Sequence, residues 1–269
     1  DKPSRDARTL ALSEASRVLL ERAGGWPAGR ETPIVDIHVS QKGGPGRTLL
    51  TASDGGVPAL GYTVSYADVE EALERRLGEL GTEVRWGAPC ERIELGTEAA
   101  RVSLAGGDVV EARLLVLADG GANARRIPGI AYSEKDYGQV AVTGPVATDR
   151  PHGGRAYERF TPQGPVALLP KGDRFALVWT ATPSEGERLR GLADADFLAE
   201  LQAHFGDRAG RFVAVGARAG FPLKLRTINS TVARRTVIVG NAAQAMHPIA
   251  GQGLNVGLRD AAGLVRILE

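Results

Sequence analysis

The sequence predicts a mixed α/β (α+β) protein of 269 residues, and three features of its pattern carry this prediction. Segments with helical and strand periodicity alternate near both ends of the chain. The middle, from Gln139 to about Val215, offers short apolar stretches broken by proline and glycine, which is typical of strands. Two apolar runs, Leu114–Ala118 and Thr236–Val239, each end in a glycine-rich loop, as buried parallel strands do. We therefore expect α/β elements at both ends and a β-rich module between them.

The N-terminal part is predicted to form a helix followed by two strands. Ser13–Arg22 has a helical period, with Ser13 as its N-cap and Gly24 just past its end. Ile34–Ser40 alternates apolar and polar residues, which predicts a strand. Arg47–Thr51 is the predicted return strand after a glycine-rich turn.

Tyr66–Leu80 has the clearest helical period, and Ser65 with Asp68 forms a capping-box pattern at its start. Glu83–Trp86 is predicted to be a strand, and Asp194–Phe205 is the one helix predicted in the middle of the chain. Further strands are predicted at Arg101–Leu104, Val109–Ala112, Val140–Val142, Ala156–Phe160, Ala167–Leu169 and Phe175–Thr180.

Composition and residue counts exclude several classes of function. The net charge of +1 provides no bulk field for nucleic acid, so we expect no nucleic-acid partner. The four histidines are scattered and Cys90 is the one cysteine, so we predict no metal site. No Gly-x-Ser-x-Gly motif occurs, so we do not expect nucleophilic hydrolysis. No apolar run reaches about 18 residues and no signal-peptide pattern opens the chain, so we expect a cytoplasmic protein. The chain starts at Asp1 without methionine and stops at Glu269 inside a predicted helix, so we expect both ends to be cut.

Val237–Arg259 carries the strongest functional signal. A buried strand leads into Gly240, where the missing side chain would let the backbone approach a ligand closely. Asn241 follows with an amide that can bond hydroxyl groups. A glycine-glutamine-glycine sequence then opens a helix from about Gly253, whose free N–H groups favour negative charge.

This segment resembles the second FAD motif of the flavoprotein aromatic hydroxylases similar to para-hydroxybenzoate hydroxylase. Within that family it looks most like the 2-polyprenyl-6-methoxyphenol hydroxylases of ubiquinone biosynthesis. The resemblance implies that Gly240 and Asn241 contact the ribityl and phosphate part of FAD. It also implies that a further set of residues lies beside the flavin ring, namely Pro248, Gly251, Gln252, Gly253, Leu254 and Asn255.

Asn241 stands where the family usually has aspartate. It keeps hydrogen bonding to the ribityl hydroxyls and loses the charge-assisted part. The polyprenylphenol hydroxylases resemble this chain in having Asn-Ala-Ala-Gln here, so the change indicates the subfamily. His247 stands beside the flavin ring or substrate by the same resemblance, and a loop-packing role is its alternative.

Three other segments agree with the resemblance. Asp119 and Gly120 match the family's Asp-Gly motif, which contacts the flavin and is implicated in NAD(P)H binding; a plain turn is the alternative. Arg8 matches an arginine that reaches the flavin or its phosphates, and a solvated surface position is its alternative. The sequence from Glu158 to Pro170 resembles the substrate-domain sheet that covers one side of the active site.

The resemblance implies an FAD-binding Rossmann-like three-layer domain with an inserted β-sheet substrate domain. We expect residues 1–33, 62–131 and 226–269 to form the first and residues 34–61 and 132–225 the second. The sequence has no Gly-x-Gly-x-x-Gly strand–turn–helix near its start, so the N-terminal βαβ unit that binds the ADP pyrophosphate is missing. We therefore expect these 269 residues alone to bind FAD poorly and to be inactive.

The implied function is FAD-dependent hydroxylation of a prenylated phenol in ubiquinone biosynthesis, with NAD(P)H as reductant and O₂ as oxygen source. A hydrophobic prenylphenol substrate, other ubiquinone-biosynthesis proteins and the inner membrane face are the expected partners. Two alternatives stay open: a hydroxylase of a soluble aromatic such as an antibiotic precursor, and a flavin-free fragment or scaffold without activity.

Overall fold

The structure is a computed structural model that describes residues 8–247 and 251–269. Its described residues divide into two compact units. Unit one comprises residues 8–76, 137–223 and 251, and unit two comprises residues 77–136, 224–247 and 252–269. Both contain helix and strand, which confirms the mixed α/β class. The functional division expected from the resemblance stays a prediction.

The described residues form five α-helices and eighteen strands. The helices are α1 (Glu14–Ala23), α2 (Tyr66–Glu79), α3 (Pro183–Gly191), α4 (Asp194–Phe205) and α5 (Gln252–Leu268). The first nine strands are β1 (Thr9–Ser13), β2 (Thr32–Ile34), β3 (Asp36–Gln41), β4 (Arg47–Thr51), β5 (Gly61–Ser65), β6 (Cys90–Leu95), β7 (Ala100–Leu104), β8 (Val109–Ala112) and β9 (Leu115–Leu117). The others are β10 (Tyr132–Thr148), β11 (Arg155–Phe160), β12 (Val166–Lys171), β13 (Arg174–Ala181), β14 (Phe212–Val215), β15 (Ala219–Ile228), β16 (Val232–Ala233), β17 (Thr236–Ile238) and β18 (Gln244–Ala245). None of these helices is long and apolar enough to cross a bilayer.

The capping signals in the sequence set the predicted helix ends. Ser13 Oγ accepts a hydrogen bond from the Ser16 N–H at 3.3 Å and begins α1. Gly24 ends it with φ +75°, a left-handed conformation that favours glycine. Ser65 Oγ likewise accepts from the Asp68 N–H at 3.1 Å at the start of α2. Both predicted caps are confirmed, because each depends on residues close in sequence.

Unit one is built on a sheet in the order β4-β3-β11-β12-β13-β10, with β14 also paired to β10. The pairs are antiparallel except β3 with β11, which is parallel. Helix α4, predicted at the same residues, buries Phe197, Leu201 and Phe205 against this sheet. Their ring and methyl surface meets Trp179 and Leu168, so one face of the sheet forms the main hydrophobic core.

Unit two contains two small three-stranded sheets. Strands β6, β7 and β8 form an antiparallel meander, which confirms the predicted hairpin between Arg101 and Ala112. Strand β17 pairs with β16 and, in parallel, with β9. Leu117 of β9 and Ile238 of β17 are buried with Ile127 in a second core.

The strand predicted at Glu83–Trp86 is wrong. These residues have no strand structure, and Trp86 is 72% exposed. The strand of this region is β6, which begins at Cys90 and pairs with β7. Long-range pairing therefore decides where the strand lies, and the short apolar pattern at Glu83–Trp86 has no partner strand among the described residues.

Two other predictions need correction. The strand predicted at Ile34–Ser40 is divided, because β2 pairs with β5 while β3 pairs with β11, and Val35 lies between them. Helix α3 was not predicted, although its start carries a local signal. Thr182 Oγ1 accepts from the Glu185 N–H at 3.4 Å, and Pro183 occupies the first helical position.

Candidate functional site

The two suspected loops of unit two leave the same edge of one sheet. Thr236 pairs with Leu115 and Ile238 with Leu117 in a parallel register. The Val239 N–H continues this pairing with a 3.0 Å hydrogen bond to the Leu117 carbonyl. Because parallel strands have their carboxyl ends at one edge, residues 119–123 and 240–243 both begin there. We call these residues the loop pair.

The Asp119 carboxylate organises the first loop. Its Oδ1 accepts from the Gly121 N–H at 2.9 Å, and its Oδ2 accepts from the N–H and the Nδ2 of Asn123 at 2.9 and 2.7 Å. Gly120 has φ +71° and Gly121 has φ +98°, which side chains rarely adopt. Asp119 therefore holds a glycine turn whose backbone faces solvent.

Tyr132 and Arg226 fasten the two loops to each other. The Tyr132 hydroxyl donates to the Ala242 carbonyl at 2.7 Å, and Arg226 Nη1 donates to the Gly120 carbonyl at 2.8 Å. A Cβ on Gly121 would lie 2.7 Å from the Tyr132 hydroxyl oxygen, so the turn needs glycine there. Burial raises the pKa of Tyr132, which keeps its hydroxyl a hydrogen-bond donor.

Helix α5 approaches the second loop closely at a pair of glycines. A Cβ on Gly257 would lie 3.0 Å from the Cα of Gly240. Gly240 itself has φ +60°, and its N–H donates to Asp260 Oδ2 at 3.2 Å. Gly257 and Asp260 are three residues apart and so share one helix face. Asn241, next in the chain, is exposed, and its side chain bonds none of the described residues.

The first turn of α5 provides backbone donors. The helix begins at Gln252, which is exposed, and its first turn contains no acidic residue. A Cβ on Gly253 would meet open space, whereas Asn255 is only 3% exposed. The first N–H groups of a helix have no intrahelical acceptor, and they carry the positive end of its dipole. This turn can therefore stabilise a negatively charged group.

The predicted site residues of unit one lie beside β1. The Arg8 guanidinium stands 5.5 Å from the centroid of the Tyr66 ring and 5.8 Å from that of Phe221. Gly251 has φ +60°, and a Cβ there would lie 3.0 Å from the Cβ of Ala11. Arg8 is exposed, and its guanidinium lies over both rings.

Unit two holds most of the predicted residues, namely Asp119, Gly120, Gly240, Asn241, His247, Gln252, Gly253, Leu254 and Asn255. Burial lowers the pKa of His247, which favours a neutral imidazole. Pro248 lies outside the described residues. Among residues 8–247 and 251–269 no group of three or more His, Cys, Asp or Glu side chains could hold a metal ion, and the absence of a metal stays a prediction.

Sequence reasoning missed four residues of this site: Tyr132, Arg226, Gly257 and Asp260. Tyr132 and Arg226 lie in strands β10 and β15, far in sequence from the loops that they join. No local pattern could indicate them. Gly257 and Asp260 did carry a signal, since a glycine and an aspartate three residues apart mark one face of α5.

Comparison with known proteins agrees with this geometry. Residues 14–269 match the family described as "FAD binding domain". The chain is 38% identical to the ubiquinone hydroxylase UbiL of Rhodospirillum rubrum over 98% of its length and 62% of that protein's. It is 32% identical to the 3-demethoxyubiquinol 3-hydroxylase of Escherichia coli, covering 98% of the chain and 68% of that protein.

Solved structures show the same fold. Pseudomonas aeruginosa PqsL in complex with 2-aminobenzoylacetate aligns with a TM-score of 0.77 at 23% identity, over 98% of the chain and 75% of PqsL. Klebsiella pneumoniae HpxO complexed with FAD and uric acid aligns with a TM-score of 0.70 at 19% identity, over 96% of the chain and 69% of HpxO. The chain thus spans about two thirds of the length of the proteins that it resembles.

Proposed function

This chain belongs to the FAD binding domain family, and from that membership we propose that the whole protein is an aromatic-ring monooxygenase of ubiquinone biosynthesis. FAD is the cofactor of the family. The proposed substrate is a prenylated phenol, with NAD(P)H as reductant and O₂ as oxygen source. The substrate class rests on one observation, the 38% identity to a ubiquinone hydroxylase over 98% of the chain. Contact with other ubiquinone-biosynthesis proteins and with the membrane is part of the same proposal.

The loop pair would hold the ribityl and phosphate part of FAD. Support comes from Gly240, whose positive φ and missing side chain place its backbone next to the exposed amide of Asn241. The Asp119 loop presents a second glycine backbone at the same sheet edge. These residues fit a ligand that needs close backbone approach and hydroxyl partners. That the 269 residues alone bind FAD poorly stays a prediction.

The flavin ring would lie at the first turn of α5. The chemistry that FAD would supply there is uptake of a hydride from NAD(P)H and transfer of one oxygen atom of O₂ to the substrate ring, with the other oxygen atom released as water. The N–H groups of Gln252, Gly253 and Leu254 would stabilise negative charge on the ring, as preorganised donors do. Arg8, Gly251, Asn255, His247 and Pro248 complete the proposed set around FAD.

We propose that the phenol binds the outer face of the unit-one sheet at Glu158. The β11–β12 register pairs Glu158 with Ala167, whereas the neighbouring Tyr157 and Leu168 pack into the core with α4. Side chains alternate along a strand, so Glu158 lies on the face opposite α4. Its partners in the neighbouring strands, Val39 in β3 and Ala167 in β12, share that face, so the residues beside Glu158 are apolar.

Glu158 would accept the phenol's proton. Burial raises the pKa of Glu158 to about 7. Near neutral pH its carboxylate and acid forms coexist, which suits a base that takes a proton from the phenol oxygen. Loss of that proton makes the ring more electron-rich and so more reactive toward oxygen transfer. The apolar surface around Glu158 would exclude water from the reacting ring.

The proposal is tested with the purified full-length protein. Its visible spectrum should show flavin bands, and a polyprenylphenol should accelerate NAD(P)H oxidation with a hydroxylated product. A protein that is colourless and takes up no added FAD would contradict a flavin enzyme of any kind. Acceleration by a soluble benzoate, with polyprenylphenols inert, would instead support the alternative of a soluble aromatic substrate.

A further inference from the structure

Unit one has a concave surface on the α4 side of its sheet, opposite the face of Glu158. It encloses about 470 Å³. Its lining comes from β3, β4, β11 and the turn after α4: His38, Arg47, Leu49, Arg155, Tyr157 and Arg208. We call it the arginine pocket. None of the residues in its lining belongs to the proposed FAD or phenol site.

The charge in the arginine pocket is not balanced. Arg155 pairs with Asp36, Nη2 to Oδ2 at 2.6 Å. Arg47 and Arg208 form no ion pair with any carboxylate in the described part of the chain. The Tyr157 hydroxyl donates to the Arg208 carbonyl at 3.2 Å, which fixes the turn that carries this side chain. Two guanidinium groups therefore stand at the pocket without a counter-ion among residues 8–247 and 251–269.

A further arginine adds to this charge. Arg159 lies two residues after Tyr157 on β11, hence on the same face. Its Nη1 donates to Ser40 Oγ at 3.4 Å, whereas its buried Nε has no hydrogen-bond partner among the described residues. Burial, and then repulsion by Arg208, lower the pKa of Arg159. An unpaired cation in such a position is costly unless an anion approaches it.

The His38 side chain lies close enough to the three arginines of the lining for their charges to affect its pKa. Burial lowers the pKa of His38, and so do the charges of Arg208, Arg155 and Arg47. The positive charges of all three arginines of the lining thus disfavour protonation of the His38 ring. Folding has gathered like charges in a concave surface, which weakens the fold unless a ligand offsets the repulsion.

We propose that the arginine pocket binds a phosphate group of a small molecule or a lipid headgroup. Guanidinium groups bind phosphate oxygens through paired N–H donors, and a phosphate dianion can serve several of them at once. The pocket is larger than one phosphate, and Leu49 and Tyr157 provide an apolar wall for the organic part of the ligand. This inference is independent of the flavin chemistry, since it uses no residue assigned to it.

Inorganic pyrophosphate is the first probe, titrated into the purified protein by calorimetry and followed by the ring proton resonances of His38. We expect binding, with a shift of the His38 signals. Arg47→Gln and Arg208→Gln should each weaken the affinity for pyrophosphate about tenfold, because each removes one charge-assisted contact. Arg22→Gln is the matched control, because Arg22 is an exposed arginine on α1 of the same unit that pairs with none of the residues that the structure describes. It should leave the affinity unchanged.

A second set of measurements identifies the source of the phosphate. Vesicles of phosphatidylglycerol, compared with neutral phosphatidylcholine, test a lipid headgroup. Binding to the anionic vesicles that is lost in Arg47→Gln and Arg208→Gln would assign the headgroup, and binding of pyrophosphate alone would assign a soluble phosphate. Absence of binding to both probes, or equal affinity in all three variants and the parent, would overturn the proposal. A thermal melt of each variant verifies that it is folded.

Discussion

At the scale of single residues, the loop pair depends on side chains that are distant in sequence. Tyr132 and Arg226 each donate to a backbone carbonyl of a different loop. The two side chains also contact each other, because the Arg226 guanidinium lies 5.9 Å from the centroid of the Tyr132 ring. This contact links the hydrogen bond on one loop to the hydrogen bond on the other. The local motifs Asp119-Gly120 and Gly240-Asn241 could be recognised in the sequence, but the residues that hold them together could not, because only the folded chain brings them near.

Replacing Tyr132 with phenylalanine should destabilise the protein by about 1 kcal/mol, the usual net value of one hydrogen bond. The Ala242 carbonyl would lose its donor. Tyr66→Phe is the control, since the Tyr66 hydroxyl bonds none of the described residues. Urea unfolding of both variants measures the difference, and equal midpoints would show that the Tyr132 bond contributes nothing.

Glu158→Gln should stabilise the protein in a pH-dependent way. The pKa of Glu158 is about 7 in the folded protein and near 4.5 when unfolded, so folding penalises the carboxylate. Below pH 4.5 both states are protonated and carry no penalty. As pH rises from 4.5 to 7 the parent loses stability, by up to about 3 kcal/mol at 1.36 kcal/mol per pKa unit, and the variant does not.

Unfolding midpoints measured between pH 4.5 and 8 test this prediction. Glu187→Gln, a change at an exposed glutamate of α3, is the control and should give a curve parallel to that of the parent. A constant difference between parent and Glu158→Gln over this range would contradict the burial of Glu158. If Glu158 also takes the phenol proton, hydroxylation by the variant should fall and lose its pH dependence near 7.

At the scale of elements, α5 is recognisable from sequence but its packing is not. The glycine-rich opening predicts where the helix begins. Its contact with Gly240 depends on Gly257, whose missing side chain permits a backbone approach that any larger residue would block. A glycine inside a helix ordinarily weakens it, so close packing explains why glycine stands at this position.

Gly257→Ala and Gly263→Ala form a matched pair within α5. The added Cβ at 257 would lie 3.0 Å from the Gly240 Cα, whereas at 263 nothing lies within 4 Å. We expect Gly263→Ala to stabilise the protein by up to about 1 kcal/mol through helix propensity. Gly257→Ala should instead destabilise the protein, because the backbone at Gly240 or Gly257 must shift to make room for the added Cβ. Thermal melts of both variants measure the change in melting temperature. A similar increase in both would contradict the close approach of Gly257 to Gly240.

Other elements show where local signals suffice. Helices α1 and α2 were predictable because their caps and periodicity lie within a few residues. Helix α3 also has local signals at its start, the Thr182 cap and Pro183. Strand β6 could not be located from its own residues, since its pairing with β7 fixes it.

At the scale of the whole molecule, the sequence predicted the alternation of α/β segments with a β-rich middle, and the structure confirms it. The sequence could not predict the sheet order β4-β3-β11-β12-β13-β10, nor the parallel pairing of β3 with β11. These pairings differ in sequence separation, and that of β3 with β11 joins residues 119 positions apart. They nevertheless determine which side chains share a face, and hence both the apolar surface at Glu158 and the arginine pocket.

The assignment of the loop pair to FAD is tested by comparing the FAD affinity of the full-length protein with that of its Asn241→Ala variant. Asn241 is exposed and bonds none of the described residues, so its loss should leave the melting temperature unchanged. If the loop pair holds the ribityl chain, Asn241→Ala should bind FAD about tenfold more weakly. Asn241→Asp, which introduces the charge-assisted bond, should bind at least as tightly as the parent, and the exposed control Gln41→Ala should bind as the parent does. Equal affinity in Asn241→Ala and the parent would contradict the assignment of the loop pair to FAD.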